Sequence, residues 1–227
     1  MALIQRLISK EKYNLKCPYS MIPKGICIHN TANDASASNE ISYMQNNSNS
    51  TSFHIAIDDN EAILGIPLDR NAYHAGDGIN GEGNRNYIAI EICYSKSGGD
   101  SFIESENRAA KEVAELLKQY GWSINNVKKH QDFNGNQCPH RTLELGWQRF
   151  LNMIQNQLDN LNLEGNELYR VRKTWEDVSS QIGAFRKFNN AKYCSDSNPS
   201  YSVFNSRGIK VYSSINNISY SLVVLSI

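Results

Sequence analysis

Apolar and polar positions along the chain change period several times. In "GICIHNTA" (25–32) β-branched and apolar residues alternate with small or polar ones, which predicts a strand. "DASASNEISYMQNN" (34–47) sets Ala37, Ile41 and Met44 on one helical face, with Asp34 as a candidate N-cap. "SFHIAIDDNEAILGIPLD" (52–69) reads as strand, turn near Asp59-Asn60, strand. The Gly- and Asn-rich stretch 76–86 reads as a surface loop. "YIAIEICY" (87–94) is almost continuously apolar, as expected of a central strand covered on both faces. Residues 102–120 carry Ala109, Val113, Leu116, Leu117 and Tyr120 at helical spacing; Ser101 with Glu104 offers a capping box and Gly121 a stop. A second helix, about 143–158, has a stripe of Trp147, Phe150, Leu151, Ile154 and Leu158. Strands interspersed with helices and long loops predict an α/β sheet covered by helices.

The pattern changes at the polar "DNLNLEGNE", so we expect a first domain over 1–158, a linker over 159–167 and a small unit over 168–227. Within that unit, "LYRVR" reads as a strand and 174–197 as partly helical. "YSVFNSRGIKVY" reads as a hairpin turning at Asn205–Gly208. About 45 residues make a marginal core. Such a unit leans on its neighbour or on a second copy, so a dimer through it is one option. The apolar tail from about 213 has no assigned role, and it is too short to span a membrane.

Twenty-three Lys and Arg balance twenty-three Asp and Glu, so no basic surplus points to a nucleic-acid partner. Five cysteines, at spacings unlike a disulfide framework, predict free thiols in a reducing compartment. The first residues lack the apolar core of a signal peptide, and no run approaches a membrane span. We therefore expect synthesis in a cytoplasm without a signal peptide.

Two features carry chemistry. "KKHQDFNGNQCPH" (128–140) gathers His130, Cys138 and His140 on a polar loop, and His29 ends an apolar strand. Imidazoles and a thiolate in such numbers suit a catalytic zinc, which takes three protein ligands and keeps one position open. His29, His130 and Cys138 form one such set, with His140 a rival third ligand; the bland alternative is a loop with incidental histidines. The second feature is Glu91, on the same strand face as Ala89 and Cys93. A carboxylate in an apolar strand is costly unless paired, for example with Arg85, or opened to a cleft. In a cleft its pKa rises toward that of a general base.

"ICIHNTA", "SFHIAID", "NAYHAGDG", "GNRNYIAIEICYSKSGG" and "KKHQDFNGNQCPHRTL" occur in that order. Over about 1–158 the chain resembles the zinc-dependent N-acetylmuramoyl-L-alanine amidases of the type 2 amidase and peptidoglycan-recognition superfamily, above all endolysins of phages that infect Gram-positive spore-formers. The resemblance implies a mixed central β-sheet flanked by helices and hydrolysis of the bond between N-acetylmuramic acid and L-alanine in peptidoglycan. It implies Zn2+ held by His29, His130 and Cys138, with Glu91 as the catalytic carboxylate. It places His74 and Phe53 at the substrate, His54 in a structural role, and Asp132 and His140 behind the ligands; Asp132 equally suits capping of the loop. Phe53 stands where many relatives have Tyr, and Asn136 where many have Lys, so Asn136 is a weaker candidate to stabilise the oxyanion. Residues 168–212 resemble small α+β wall-binding modules of related endolysins, on "YRVRKTWEDVSSQIGAF". There Tyr169, Trp175, Phe185 and Tyr201 either touch a wall polymer or, as we expect of most, form the core. The rival reading is a non-catalytic peptidoglycan-recognition protein, which loss of a ligand or of Glu91 would mark. A zinc peptidase of another fold would show a motif such as HExxH, absent here.

Overall fold

A computed structural model describes residues 3–214, without the side chains of 163–166; the tail beyond 214 lies outside the described residues. The chain divides into two units, Met1–Leu161 and Asn162–Ile227. The first is built on six strands: β1 (Ile4–Gln5), β2 (Gly25–Asn30), β3 (Ile55–Ile57), β4 (Ala62–Leu64), β5 (Tyr87–Ile92) and β6 (Val127–Lys129). They lie in the order β1-β4-β3-β5-β2-β6. Only the β3–β4 hairpin is antiparallel; β3, β5, β2 and β6 run parallel, so their carboxyl ends share one edge of the sheet.

The helices are α1 (Tyr13–Lys16), α2 (Ala37–Asn46), α3 (Glu82–Asn86), α4 (Gly99–Tyr120), α5 (Gln131–Asn134), α6 (His140–Leu145) and α7 (Trp147–Asn166). Strand alternation sends Ile26, Ile28, Ile88, Ile90 and Ile92 to one face, against Val113 and Leu117 of α4 and Phe150 and Ile154 of α7. Ala56, Ala89 and Cys93 face the other way, against Ala37, Ile41 and Met44 of α2. Packing on both faces explains why β2 and β5 read as apolar throughout. Arg149 of α7 pairs with the fully buried Glu106 of α4, fixing the two helices on that side. Truncating Arg149 would leave the charge uncompensated, at a cost of roughly 3–5 kcal/mol.

Several boundaries differ from the sequence expectation. The cap of α2 is Ser36, whose side chain accepts from Asn39 N–H, because the Asp34 carboxylate is taken by Ser97. Helix α4 begins at Gly99, which seats Phe102 in the core, so Ser101 and Glu104 lie inside it and form no capping box. It ends as expected at Gly121, in the left-handed conformation with φ 67°. The loop 76–86 closes with α3, capped by the Asp77 carboxylate, which accepts from the N–H groups of Gly83 and Asn84. The helix expected over 143–158 is two, α6 and α7, broken at Gly146 with φ 108°. The residues expected as a linker are helical through Asn166: Leu158 and Leu161 continue the stripe of α7 onto the core.

The second unit is an antiparallel sheet in the order β10-β9-β7-β8, from β7 (Tyr169–Arg172), β8 (Gly183–Phe185), β9 (Ser202–Phe204) and β10 (Lys210–Ser213), with one helix, α8 (Phe188–Asp196). The β9–β10 hairpin turns at Asn205–Gly208, with Gly208 at φ 80°. Val171, Ala191 and Val203 form its core, and Tyr169, Phe185 and Tyr201 pack against them. Trp175 is instead covered by the Arg172 guanidinium, 4.8 Å above its ring.

Candidate metal centre

Register brings the candidate residues together. In the parallel pair β2–β5, His29 stands opposite Glu91, and β6 continues the same level so that His130, one residue past Lys129, donates its N–H to the Ile28 carbonyl. Three side chains far apart in sequence thus meet at the carboxyl ends of three adjacent parallel strands, the edge where open α/β sheets place ligands. Cys138 arrives on the loop that follows α5. Its carbonyl accepts from Gln131 N–H, and Asn30 Oδ1 accepts from the N–H groups of Arg141 and Thr142, pinning the start of α6 beside His29.

Cys138 Sγ lies 3.9 Å from His29 Nδ1, and the rings of His29 and His130 are 4.6 Å apart. One donor atom from each of the three lies within 4.8 Å of the others. Burial, with His74 and His130 nearby, holds His29 well below the usual histidine range, and burial lowers His130 as well. Both are therefore neutral, the form that ligates a metal. Burial and the Glu91 carboxyl push the Cys138 thiol up to about 12, opposed by a hydrogen bond from Asn30 N–H. A bound cation reverses that preference and takes the thiolate. The Ala75 carbonyl accepts from the His130 ring, the usual support for a ligating imidazole. Two neutral imidazoles and one thiol are a donor set that fits zinc.

Glu91 is half-buried, and its Oε2 is shut off from solvent without a hydrogen-bond partner. Burial, then the Glu40 carboxylate, raise its pKa to about 8. It does not pair with Arg85, whose guanidinium stacks 4.0 Å over the Tyr19 ring. Glu91 lines a cavity of about 250 Å³ together with Phe53, Glu40, Thr31 and Thr51. A larger cavity of about 610 Å³ is lined by His130, His74, Asn136, Asn134, Tyr73 and, again, Thr51. The loop that shapes both is fastened by Lys16, a fully buried ammonium that donates to Asn47 Oδ1 at 2.6 Å and to the Thr51 carbonyl at 3.0 Å.

The remaining candidates separate. His74 is buried, with Nδ1 3.0 Å from His29 Nε2, rather than standing free on a rim. Phe53 is buried at the Glu91 cavity, and Asn136 is exposed at the larger one. Asp132 takes the capping alternative instead of orienting a ligand: its carboxylate accepts from Lys129 N–H and pairs with Lys129 Nζ. The side chain that does reach a candidate ligand from this loop is Asn134, whose amide nitrogen lies 2.8 Å from His130 Nε2. His140 donates to the Ser95 carbonyl at 3.2 Å and lies outside the cluster, a structural role. His54 is structural too: Nε2 donates to the Arg70 carbonyl and Nδ1 accepts from Ala89 N–H. Asn30, Asn134 and Glu40 were missed from the sequence. Only Asn134 left a signal there, its position four residues after His130.

A family model described as N-acetylmuramoyl-L-alanine amidase matches residues 19–141. The chain is 56% identical over 165 residues to the N-acetylmuramoyl-L-alanine amidase CwlA of Bacillus subtilis, covering 72% of this chain and 61% of that protein. It spans roughly half to three-fifths of the length of three curated relatives that it matches. Among solved structures it is similar to PlyL, at 50% identity and a TM-score of 0.66, over 68% of this chain and 97% of that one. The PlyG catalytic domain is similar at 51% identity and a TM-score of 0.67, over 70% and 96%. With a family model spanning more than half of the residues and a fold shared with PlyL and the PlyG catalytic domain, the chain belongs to the N-acetylmuramoyl-L-alanine amidase family.

Proposed function

We propose that the chain is a zinc-dependent endolysin that hydrolyses the amide between N-acetylmuramic acid and L-alanine in bacterial peptidoglycan, with residues 168–214 directing it to the wall. The observation that carries this reading is the gathering of His29, His130 and Cys138 beside a partnerless Glu91 at the edge of the sheet. His29, His130 and Cys138 would hold the ion. When bound, zinc supplies Lewis acidity to water and to the scissile carbonyl, and its charge favours the ionised form of Glu91. Glu91 accepts the proton of the attacking water on its carboxylate and returns it to the leaving L-alanine nitrogen. Asn136, at the rim of the larger cavity, offers its side-chain amide to the carbonyl oxygen as charge develops. Phe53 walls the Glu91 side and keeps the carboxyl poorly solvated. All three ligands and the carboxylate are present, which argues against a non-catalytic recognition protein.

For the second unit, the supporting feature is charge. Residues 162–227 carry eight Lys and Arg against five Asp and Glu, while 1–161 carry fifteen against eighteen. Three of the four candidate aromatics serve its core, so the available face is a cavity beside Tyr169 and Phe188 with Arg186 and Lys187, suited to an anionic wall polymer. The chain then acts on the wall after release from the cytoplasm; among the described residues no helix is long and apolar enough to cross a membrane. Chelation should abolish clearing of a purified wall suspension and zinc should restore it, with one zinc per chain by elemental analysis. Cys138→Ser should bind zinc more weakly, since a hydroxyl is a poorer ligand than a thiolate. Full activity in metal-free protein would refute the zinc assignment.

A further inference from the structure

His29 has two ring nitrogens and two different environments. Nδ1 faces Cys138 Sγ at 3.9 Å, on the side of His130. Nε2 points the other way, 3.0 Å from His74 Nδ1 and 3.1 Å from Cys27 Sγ. A neutral imidazole carries one proton, so the atom that holds it decides which nitrogen has a lone pair to give a metal. If the proton sits on Nδ1, His29 presents N–H to the centre and cannot ligate there. If it sits on Nε2, the lone pair of Nδ1 faces Cys138 and His130. The tautomer is set by what the outer nitrogen meets.

We infer that His74 is a positioning residue for the metal centre: its Nδ1 accepts the Nε2–H of His29 and so holds His29 in the tautomer whose Nδ1 can ligate. For this His74 must itself be the Nε2–H tautomer. With Nδ1 turned to His29, Nε2 is the nitrogen left to carry the proton; it is buried and makes no close hydrogen bond. The backbone that carries the ring is held: the N–H groups of His74 and Ala75 both donate to Asn84 Oδ1, at 2.7 and 2.8 Å, and Asn84 is buried in α3. The Gly- and Asn-rich segment 76–86 thus has a task in this chain, which is to anchor the backbone from which His74 reaches His29. The same arrangement resolves the second donor group, Cys27, His29 and His74. It shares His29 with the first, uses the opposite nitrogen and is a hydrogen-bonded support rather than a second ion site.

The inference rests on the reading of His29, His130 and Cys138 as zinc ligands, and the test separates the two. Zinc affinity is measured by competition with a chromogenic chelator for wild type, His74→Leu, His74→Asn and Cys27→Ala, with thermal melts of the metal-free proteins as a folding control. His74→Leu removes the acceptor, and we expect zinc binding about 10–100-fold weaker. His74→Asn, whose Oδ1 stands near the place of Nδ1, should recover most of that loss. Cys27→Ala should change affinity by less than about threefold, since a thiol is the weaker partner. Nitrogen-15 shifts of the zinc-loaded wild type should show His29 protonated on Nε2. Failure of wild type to bind zinc overturns the ligand reading. Wild-type binding with unchanged affinity in His74→Leu, equal loss in His74→Asn and His74→Leu, or a His29 proton on Nδ1 overturns the role of His74. Should His74→Leu fail to fold, the Asn variant and the nitrogen shifts decide between the same outcomes.

Discussion

Replacing Glu91 by Gln removes one ionisable proton and little else, so it isolates what burying this carboxyl costs. In the metal-free protein the folded-state pKa is about 8 against an ordinary 4.5. The folded state therefore holds the proton where the unfolded chain has released it. The stabilisation is complete below pH 4.5, falls as pH rises and is lost once pH passes about 8. At roughly 1.4 kcal/mol per pH unit the full span is on the order of 4–5 kcal/mol; partial exposure of the side chain trims this to about 3–4 kcal/mol. The substituted amide cannot ionise, so urea unfolding of metal-free wild type and Glu91→Gln from pH 4 to 9 should give curves that diverge by about that amount, the variant being relatively more stable at high pH. Other titrating groups are common to both proteins and cancel, and the thiols that feel Glu91, Cys138 above all, are pushed above this pH range. The zinc-loaded variant should keep its metal yet lose turnover by ~10²–10⁴-fold, as for a missing general base. Parallel stability curves would show that the carboxyl is solvated in the folded state; a fully active Glu91→Gln would show that it moves no proton.

Residues 1–161 should fold alone and keep hydrolysis of soluble wall fragments, while binding to intact walls falls and loses its salt sensitivity, because tethering raises local substrate concentration without altering the site. An isolated 162–227 fragment without affinity for any susceptible wall counts against the targeting role. Asn136→Ala should lower turnover and Asn136→Lys raise it modestly, by less than the ~2.7–4 kcal/mol a single oxyanion donor is often worth, with zinc affinity unchanged. Equal turnover in all three forms removes Asn136 from the chemistry.

The strands were legible because a two-residue period is local, and Glu91 stood out because a charge in an apolar strand has no local excuse. His29, His130 and Cys138 could be read as a set, but their meeting depends on the β2–β6 register, which no single segment encodes. The errors have a common source. Asp34, Ser101 and Glu104 have the chemistry of caps, and tertiary demands reassigned them: Ser97 claims Asp34, and seating Phe102 moves the helix start. The boundary between the two units does fall within 159–167, but Leu161 at helical spacing from Leu158 keeps that stretch helical and on the core. The link from Asn84 through His74 to His29 joins loop, helix and strand and becomes visible only when they are assembled.

The central claim is the bond that is cut. Purified peptidoglycan incubated with the zinc-loaded chain should yield new L-alanine amino termini, detected by dinitrophenyl labelling and hydrolysis, in step with the fall in turbidity and with no rise in reducing sugar. Clearing accompanied by new reducing ends, or by amino termini of another residue, would contradict the assignment to the amide between N-acetylmuramic acid and L-alanine.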